Sequence, residues 1–182
     1  MVTPRLETLC TALAQVLIAR KLSMVTAESC TGGLIAASCT QLSGSSAWFE
    51  RGFVTYSNAA KSELLGVPAS LIEAQGAVSE EVAKAMALGA LAHSPAHISV
   101  AVTGIAGPTG GSDAKPVGTV WLAWAWRDLQ QNLHSETMLR QFEGTRSEVR
   151  DATAELALAH LTELVEKLVG KLLETTGKKI PT

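Results

Sequence analysis

Three scarcities narrow what this 182-residue chain can be. Cysteine is sparse: Cys10, Cys30 and Cys39 are an odd number, with no Cys-x-x-Cys pair. That argues against a disulfide framework and a four-cysteine zinc site, and free thiols suit a reducing compartment. A charge surplus is missing as well. Fifteen Lys+Arg stand against seventeen Asp+Glu, a net charge of −2, with a small basic cluster near the end at Lys178-Lys179. No basic excess advertises a nucleic acid or an anionic membrane. Finally, no apolar run reads as a membrane span. Ser29–Phe49 and Ala85–Ser112 lack Asp, Glu, Lys and Arg. The first, however, is rich in Gly, Ser and Thr, and the second is cut by His93, Pro95, His97 and several glycines. The N-terminus places Pro4, Arg5 and Glu7 where a signal peptide needs apolar residues. The expectation is a cytoplasmic protein with neither a nucleic-acid nor a membrane partner.

What is present is core-forming material. Hydrophobic residues are 47% of the chain and charged ones 18%, too apolar for disorder and enough for a core without cross-links. Thr3-Pro4 reads as a cap followed by proline at the first helical position, opening a helix to about Arg20. Met24–Ala27 reads as a strand, Glu28–Gly33 as a strand-to-helix turn, and Leu34–Leu42 as a helix of small residues. Trp48–Tyr56 is strand-like, Asn58–Leu65 a helix closed by Gly66, and Pro68–Ala74 another. Ser79 caps a helix to about Ala92, with Glu80 and Glu81 in its first turn. Ile98–Thr103 reads as a buried strand, Gly104–Gly111 as a glycine-rich loop, and Val117–Trp126 with Asn132–Phe142 as a hairpin. Thr145-Arg146-Ser147-Glu148 fits a capping box that opens a final helix weakening near Gly170, and the tail after Gly177 reads as frayed. Strands alternating with helices, then a hairpin, predict one three-layer α/β/α domain with a mixed sheet over residues 1–182.

In such sheets, sites form where strands feed loops and helix starts. The turn Ser29-Cys30-Thr31-Gly32-Gly33 can present backbone N–H groups and two hydroxyls to an anion, or it can be a plain helix cap. It fits neither the P-loop nor the GxGxxG pattern. Thr103-Gly104-Ile105-Ala106-Gly107 follows a buried strand and can approach a ligand closely, or simply connect. Ser46, Tyr56 and Lys61 could form a Ser–Lys pair with a nearby phenol. Lys61 would need its pKa lowered by burial or by a helix start. Composition and spacing favour Ser46 as a turn residue and Lys61 as a solvated lysine. His93 and His97 have helical ligand spacing, but Pro95 breaks that helix, and no metal is expected. Trp121 should point away from Trp124 and Trp126, favouring core or interface packing over base stacking. Cys30, at a helix start, could be a low-pKa thiol, although a small packed residue fits better.

The segments Ala27–Gly33, Gly44–Phe49, Gly52–Asn58 with Lys61, Gly76–Ser79, Thr103–Pro108, Gly110-Gly111 and Lys115–Val120 together resemble the CinA C-terminal domain family, over about residues 6–165. The resemblance implies a three-layer α/β/α fold and a nicotinamide-nucleotide amidase without cofactor. That enzyme hydrolyses nicotinamide mononucleotide to nicotinic acid mononucleotide and ammonia. Stand-alone members of this length are typically the bacterial deamidase, whereas others carry an N-terminal pyrophosphatase-like domain. The resemblance also implies Ser–Lys machinery at Ser46 and Lys61, with Tyr56 orienting Lys61 or relaying a proton. Backbone N–H groups at Ser45–Ser46 or in Thr103–Gly107 would hold the oxyanion. The substrate phosphate is expected on Ser29, Cys30, Thr31, Gly32 and Gly33 or near Arg146, and a homodimer is expected. Thr145 stands where the family pattern has Asp, which puts the orientation of Arg146 in question. Two other functions fit less well: a nucleotide-binding or competence-associated module without catalysis, and an interaction protein using the tryptophan strand as its interface.

Overall fold

The computed structural model describes residues 2–128 and 130–176. Six helices and five strands follow in the order α1 (Pro4–Ala19), β1 (Met24–Glu28), α2 (Leu34–Thr40), β2 (Phe49–Val54), α3 (Asn58–Leu65), α4 (Ala69–Gln75), α5 (Glu80–Ala92), β3 (Ile98–Gly104), β4 (Thr119–Arg127), β5 (Leu133–Gln141) and α6 (Arg146–Thr176). A single 3₁₀ turn, Ser45–Ala47, precedes β2. The sheet order is β2-β1-β3-β4-β5. β1 runs parallel to both β2 and β3, while β4 and β5 add antiparallel. This is the expected mixed sheet.

Alternation along the strands builds two cores. Met24, Val100, Val102, Leu122 and Trp124 face α1, α2 and α6, while Val25, Ala27, Ala101 and Ala123 face α3, α4 and α5. Trp124 therefore lies on the opposite face from Trp121, as the period of two requires. Both faces of β4 are covered, and Trp124 is fully buried with its indole N–H donating to Ala157 O at 3.1 Å. Of the core and interface readings of the tryptophan strand, core packing holds for Trp124, while Trp121 and Trp126 are half-buried against the two cores. No helix of the described residues is long and apolar enough to cross a membrane.

Helix ends follow local chemistry. Thr3 Oγ1 accepts from Leu6 N–H, Ser57 Oγ from Ala60 N–H and Ser79 Oγ from Val82 N–H. The predicted capping box opens α6: Glu148 accepts from both Thr145 N–H and Thr145 Oγ1 at 2.7 Å. Thr145 thus caps the helix, and Arg146 enters α6 in a defined direction without the family's Asp. The expected weakening near Gly170 does not end α6, which continues to Thr176. The tail after Gly177 lies outside the described residues.

Candidate active site

At the carboxyl ends of β1, β2 and β3, a cleft of about 240 Å³ is lined by Ser29, Cys30, Tyr56, Asn58, Lys61, Ala77, Val78, Thr103, Gly104, Ala106 and Arg146. Parallel strands gather their carboxyl ends and following loops here, and the segment before α5 and the start of α6 complete the lining. Ser29 follows β1, and its N–H donates to Val102 O of β3 at 3.0 Å. Tyr56 and Lys61 follow β2.

Lys61 is the unusual member. It sits one turn into α3 with 1% of its surface exposed. Its Nζ donates to Ser29 Oγ at 3.1 Å and to Thr55 O at 2.9 Å. Both acceptors are uncharged, and burial lowers the Lys61 pKa, with the neighbouring Cys30 acting more weakly in the opposite direction. The solvated lysine favoured by composition is corrected: the helix start at Ser57 turns Lys61 inward, under the end of β1.

Ser46 is elsewhere. It is exposed in the 3₁₀ turn before β2, beside the start of β1, since Phe49 pairs with Met24 and Val54 with Glu28. The length of β2, about 20 Å for six residues, separates it from the Tyr56 end. The expected grouping of Ser46 with Tyr56 and Lys61 is therefore corrected, and Ser29 stands where Ser46 was expected. Ser45, with Ser46 an expected oxyanion donor, lies at that far end too.

The anion-binding reading of Ser29–Gly33 is corrected from Gly32 onward, while Ser29 and Cys30 line the cleft. Glu28, fully buried at the end of β1, turns its own carboxylate into the start of α2. Oε2 accepts from Thr31 Oγ1 at 2.7 Å, Gly33 N–H at 3.0 Å and Ile35 N–H at 3.0 Å; Oε1 accepts from Ala36 N–H at 2.8 Å. Gly32 and Leu34 donate to Ser29 O and Thr31 O. Every N–H from Gly32 to Ala36 already has an acceptor inside the chain. In the sequence, Glu28 stands four residues before the Gly32-Gly33 helix start, within reach of it.

Arg146 closes the other side. Its Nη1 donates to Gly107 O and its Nη2 to Tyr56 Oη, each at 2.9 Å. The Tyr56 hydroxyl is thus held by Arg146, whereas Lys61 is oriented by the Thr55 carbonyl rather than by Tyr56. At the carboxyl end of β3, Thr103 Oγ1 donates to Ala77 O at 2.8 Å, fixing the wall formed by Ala77 and Val78. Lys115 Nζ donates to Val78 O at 2.7 Å from the other side. Sequence reasoning did not single out Asn58, Ala77 or Val78. Ile105 and Gly107 lie behind the cleft surface, Ile105 N–H donating to Thr119 O. Gly104 reflects packing: a Cβ there would come within 2.8 Å of Thr119 O. Cys30 is buried, and desolvation pushes its thiol up to about 11, so it is the small packed residue and not an activated nucleophile. His93 and His97 are engaged separately, with Gly89 O and Ser23 N–H.

The arrangement can activate a hydroxyl. A neutral Lys61 amine has two N–H groups and one lone pair. One N–H is held by Thr55 O, the lone pair can receive the Ser29 proton, and the second N–H is free for a leaving group.

The chain is also similar to known proteins. The CinA C-terminal domain model matches residues 6–165. A Pseudomonas putida protein named nicotinamide-nucleotide amidohydrolase PncC is 53% identical over 159 residues, 87% of this chain and 96% of its own length. The Escherichia coli K12 protein of the same name is 48% identical over 151 residues, 82% of this chain and 88% of its own. The crystal structure of the competence/damage inducible protein CihA from Agrobacterium tumefaciens superposes with a TM-score of 0.82 at 44% identity, covering 90% of this chain and 98% of that one.

Proposed function

The chain belongs to the CinA C-terminal domain family, and from that premise we propose that it hydrolyses nicotinamide mononucleotide to nicotinic acid mononucleotide and ammonia in pyridine nucleotide recycling, through a covalent intermediate on Ser29. The observation that carries this reading is the buried Lys61 amine hydrogen-bonded to Ser29 Oγ inside the cleft.

Neutral Lys61 takes the Ser29 proton as Oγ attacks the carboxamide carbon. The oxyanion falls to backbone N–H groups of the two loops facing the cleft, at Cys30 and Ala106. Lys61 then delivers its proton to the amide nitrogen, the C–N bond breaks, and ammonia leaves. A water, losing a proton to Lys61, attacks the acyl ester; the proton returns to Ser29 Oγ and the carboxylate product departs. Tyr56 and Arg146 border the reacting centre. With the α2 start filled by Glu28, the substrate phosphate goes to Arg146, three of whose five N–H donors remain free of the contacts to Gly107 and Tyr56. No step needs a metal. The buried free thiols Cys10, Cys30 and Cys39 support a cytosolic setting. The assembly is proposed as a homodimer, read by sedimentation as twice the chain mass.

The test is ammonia release from nicotinamide mononucleotide in the presence of EDTA. Turnover with stoichiometric nicotinic acid mononucleotide supports the proposal. Tight binding without release favours a nucleotide-binding module, and a requirement for added zinc or magnesium contradicts the metal-free route.

A further inference from the structure

The buried carboxylate of Glu28 does more than end a strand. Its main-chain oxygen accepts from Thr55 N–H at 2.8 Å, and Thr55 O in turn receives Lys61 Nζ at 2.9 Å. Its side chain takes four hydrogen bonds, three of them from backbone N–H groups of the turn and first residues of α2. Between these two attachments stands Ser29. The same turn is gripped from the opposite side, where the Arg150 guanidinium of α6 donates to Thr31 O through Nη2 at 2.7 Å and Nε at 3.3 Å. Thr31 is fully buried, giving its hydroxyl to Glu28 and its carbonyl to Arg150.

A fully buried carboxylate is expensive unless its acceptor sites are filled, and here donors of the helix start fill them. The α2 helix has seven residues and is preceded by Gly32 at φ +60° and Gly33 at φ +93°, so neither length nor backbone preference holds the turn. Something else must keep the serine aimed. Catalysis by a positioned nucleophile tolerates little movement: a displacement of about 1 Å can lower the rate about a hundredfold.

We propose that Glu28, acting through Thr31 against Arg150, is a positioning residue that holds the Ser29 turn and the Lys61 amine in reactive register. The proposal rests on the reading of Ser29 and Lys61 as nucleophile and base. Glu28 touches no substrate. Its carboxylate replaces the external anion that such a helix start otherwise attracts, and spends that attraction on rigidity.

Two variants test it. In Glu28→Gln one carboxylate oxygen becomes an NH₂ facing an N–H donor. In Thr31→Val the hydroxyl link is removed at nearly constant volume. For folded protein the expected result is a kcat lower by about a hundredfold in Glu28→Gln and about tenfold in Thr31→Val, with KM for nicotinamide mononucleotide within about threefold. The rate at which a small fluorophosphonate inactivates Ser29 should fall in parallel, and Thr31→Ser, which keeps the hydroxyl, should recover most of both. Thr3→Ala, which removes the cap of α1 far from the cleft, should lower Tm and leave kcat unchanged. Should Glu28→Gln fail to fold, Thr31→Val and Thr31→Ser carry the test. Folded Glu28→Gln or Thr31→Val with wild-type kcat and labelling rate overturns the proposal. Wild-type protein that neither releases ammonia nor takes the label overturns the underlying reading instead, so the two failures are distinct.

Discussion

Two serine-bearing turns border the neighbouring parallel strands β1 and β2, and they sit at opposite ends of the sheet. Ser29 follows β1; Ser46 precedes β2. Because the strands are parallel, whatever follows one strand lies beside whatever follows its neighbours. Ser29 therefore shares a cleft with Tyr56 and Lys61 after β2, with Thr103 at the end of β3 and Ala106 after it, and with Arg146 at the start of α6. Ser46 shares nothing with them. The two turns also differ in how they are held. The Ser29 turn is filled by a buried carboxylate and gripped by Arg150, whereas the Ser46 turn is an exposed 3₁₀ turn with Ala47 N–H donating to Gly44 O at 3.1 Å. A hydroxyl becomes a nucleophile through its place relative to a base, and chain direction decides that place.

The largest expected effect breaks this contrast outright if it fails. Ser29→Ala should lower kcat at least about a thousandfold with substrate affinity retained, while Ser46→Ala stays within about twofold. Lys61→Arg should be as inactive as Ser29→Ala, because a guanidinium cannot serve as a neutral base. Loss of charge complementarity comes next. Nicotinamide riboside, lacking the phosphate, should show kcat/KM lower by about ten- to a hundredfold than the mononucleotide, and Arg146→Met should erase most of that difference. Equal kcat/KM for the two substrates in the wild type would remove Arg146 from phosphate binding.

The pH dependence has a definite sign. Burial favours neutral Lys61, so kcat/KM should climb as pH rises through a midpoint below that of an ordinary lysine. In the same window the unfolded chain binds more protons than the folded one, so stability rises with pH toward the ordinary lysine range. Below the folded-state midpoint the full burial penalty is present. Lys61→Met should therefore be inactive yet more stable at neutral pH, by roughly 1 kcal/mol or ~2–4 °C in Tm. A lower Tm in that variant would mean that the amine's hydrogen bonds outweigh its desolvation. The smallest effect is on the far turn, where Ser46→Ala should change stability by less than about 0.5 kcal/mol.

Much of the fold was legible in the residues. Caps at Thr3, Ser79 and Thr145, the stop at Gly66 and the short buried runs of β1 and β3 are local signals, and each marks its element to within a residue or two. The cleft was legible in part. Both loops were singled out, since strand ends and helix starts are where chemistry collects, while Lys61, Tyr56 and Arg146 drew their weight from the family resemblance. The pairing of Lys61 with Ser29 was not, because it spans 32 positions and depends on β1 and β2 lying parallel. The role of Glu28 was hidden for another reason. The same turn can receive an outside anion or its own carboxylate, and only the rotamer of Glu28 separates the two.

The most direct test of the central claim asks which hydroxyl is activated. Incubation with a small fluorophosphonate, followed by peptide mapping, should place a single adduct on Ser29, and the adduct should be lost in Lys61→Met. An adduct on Ser46, or labelling of Ser29 at the same rate in Lys61→Met, would contradict the pairing of Ser29 with Lys61.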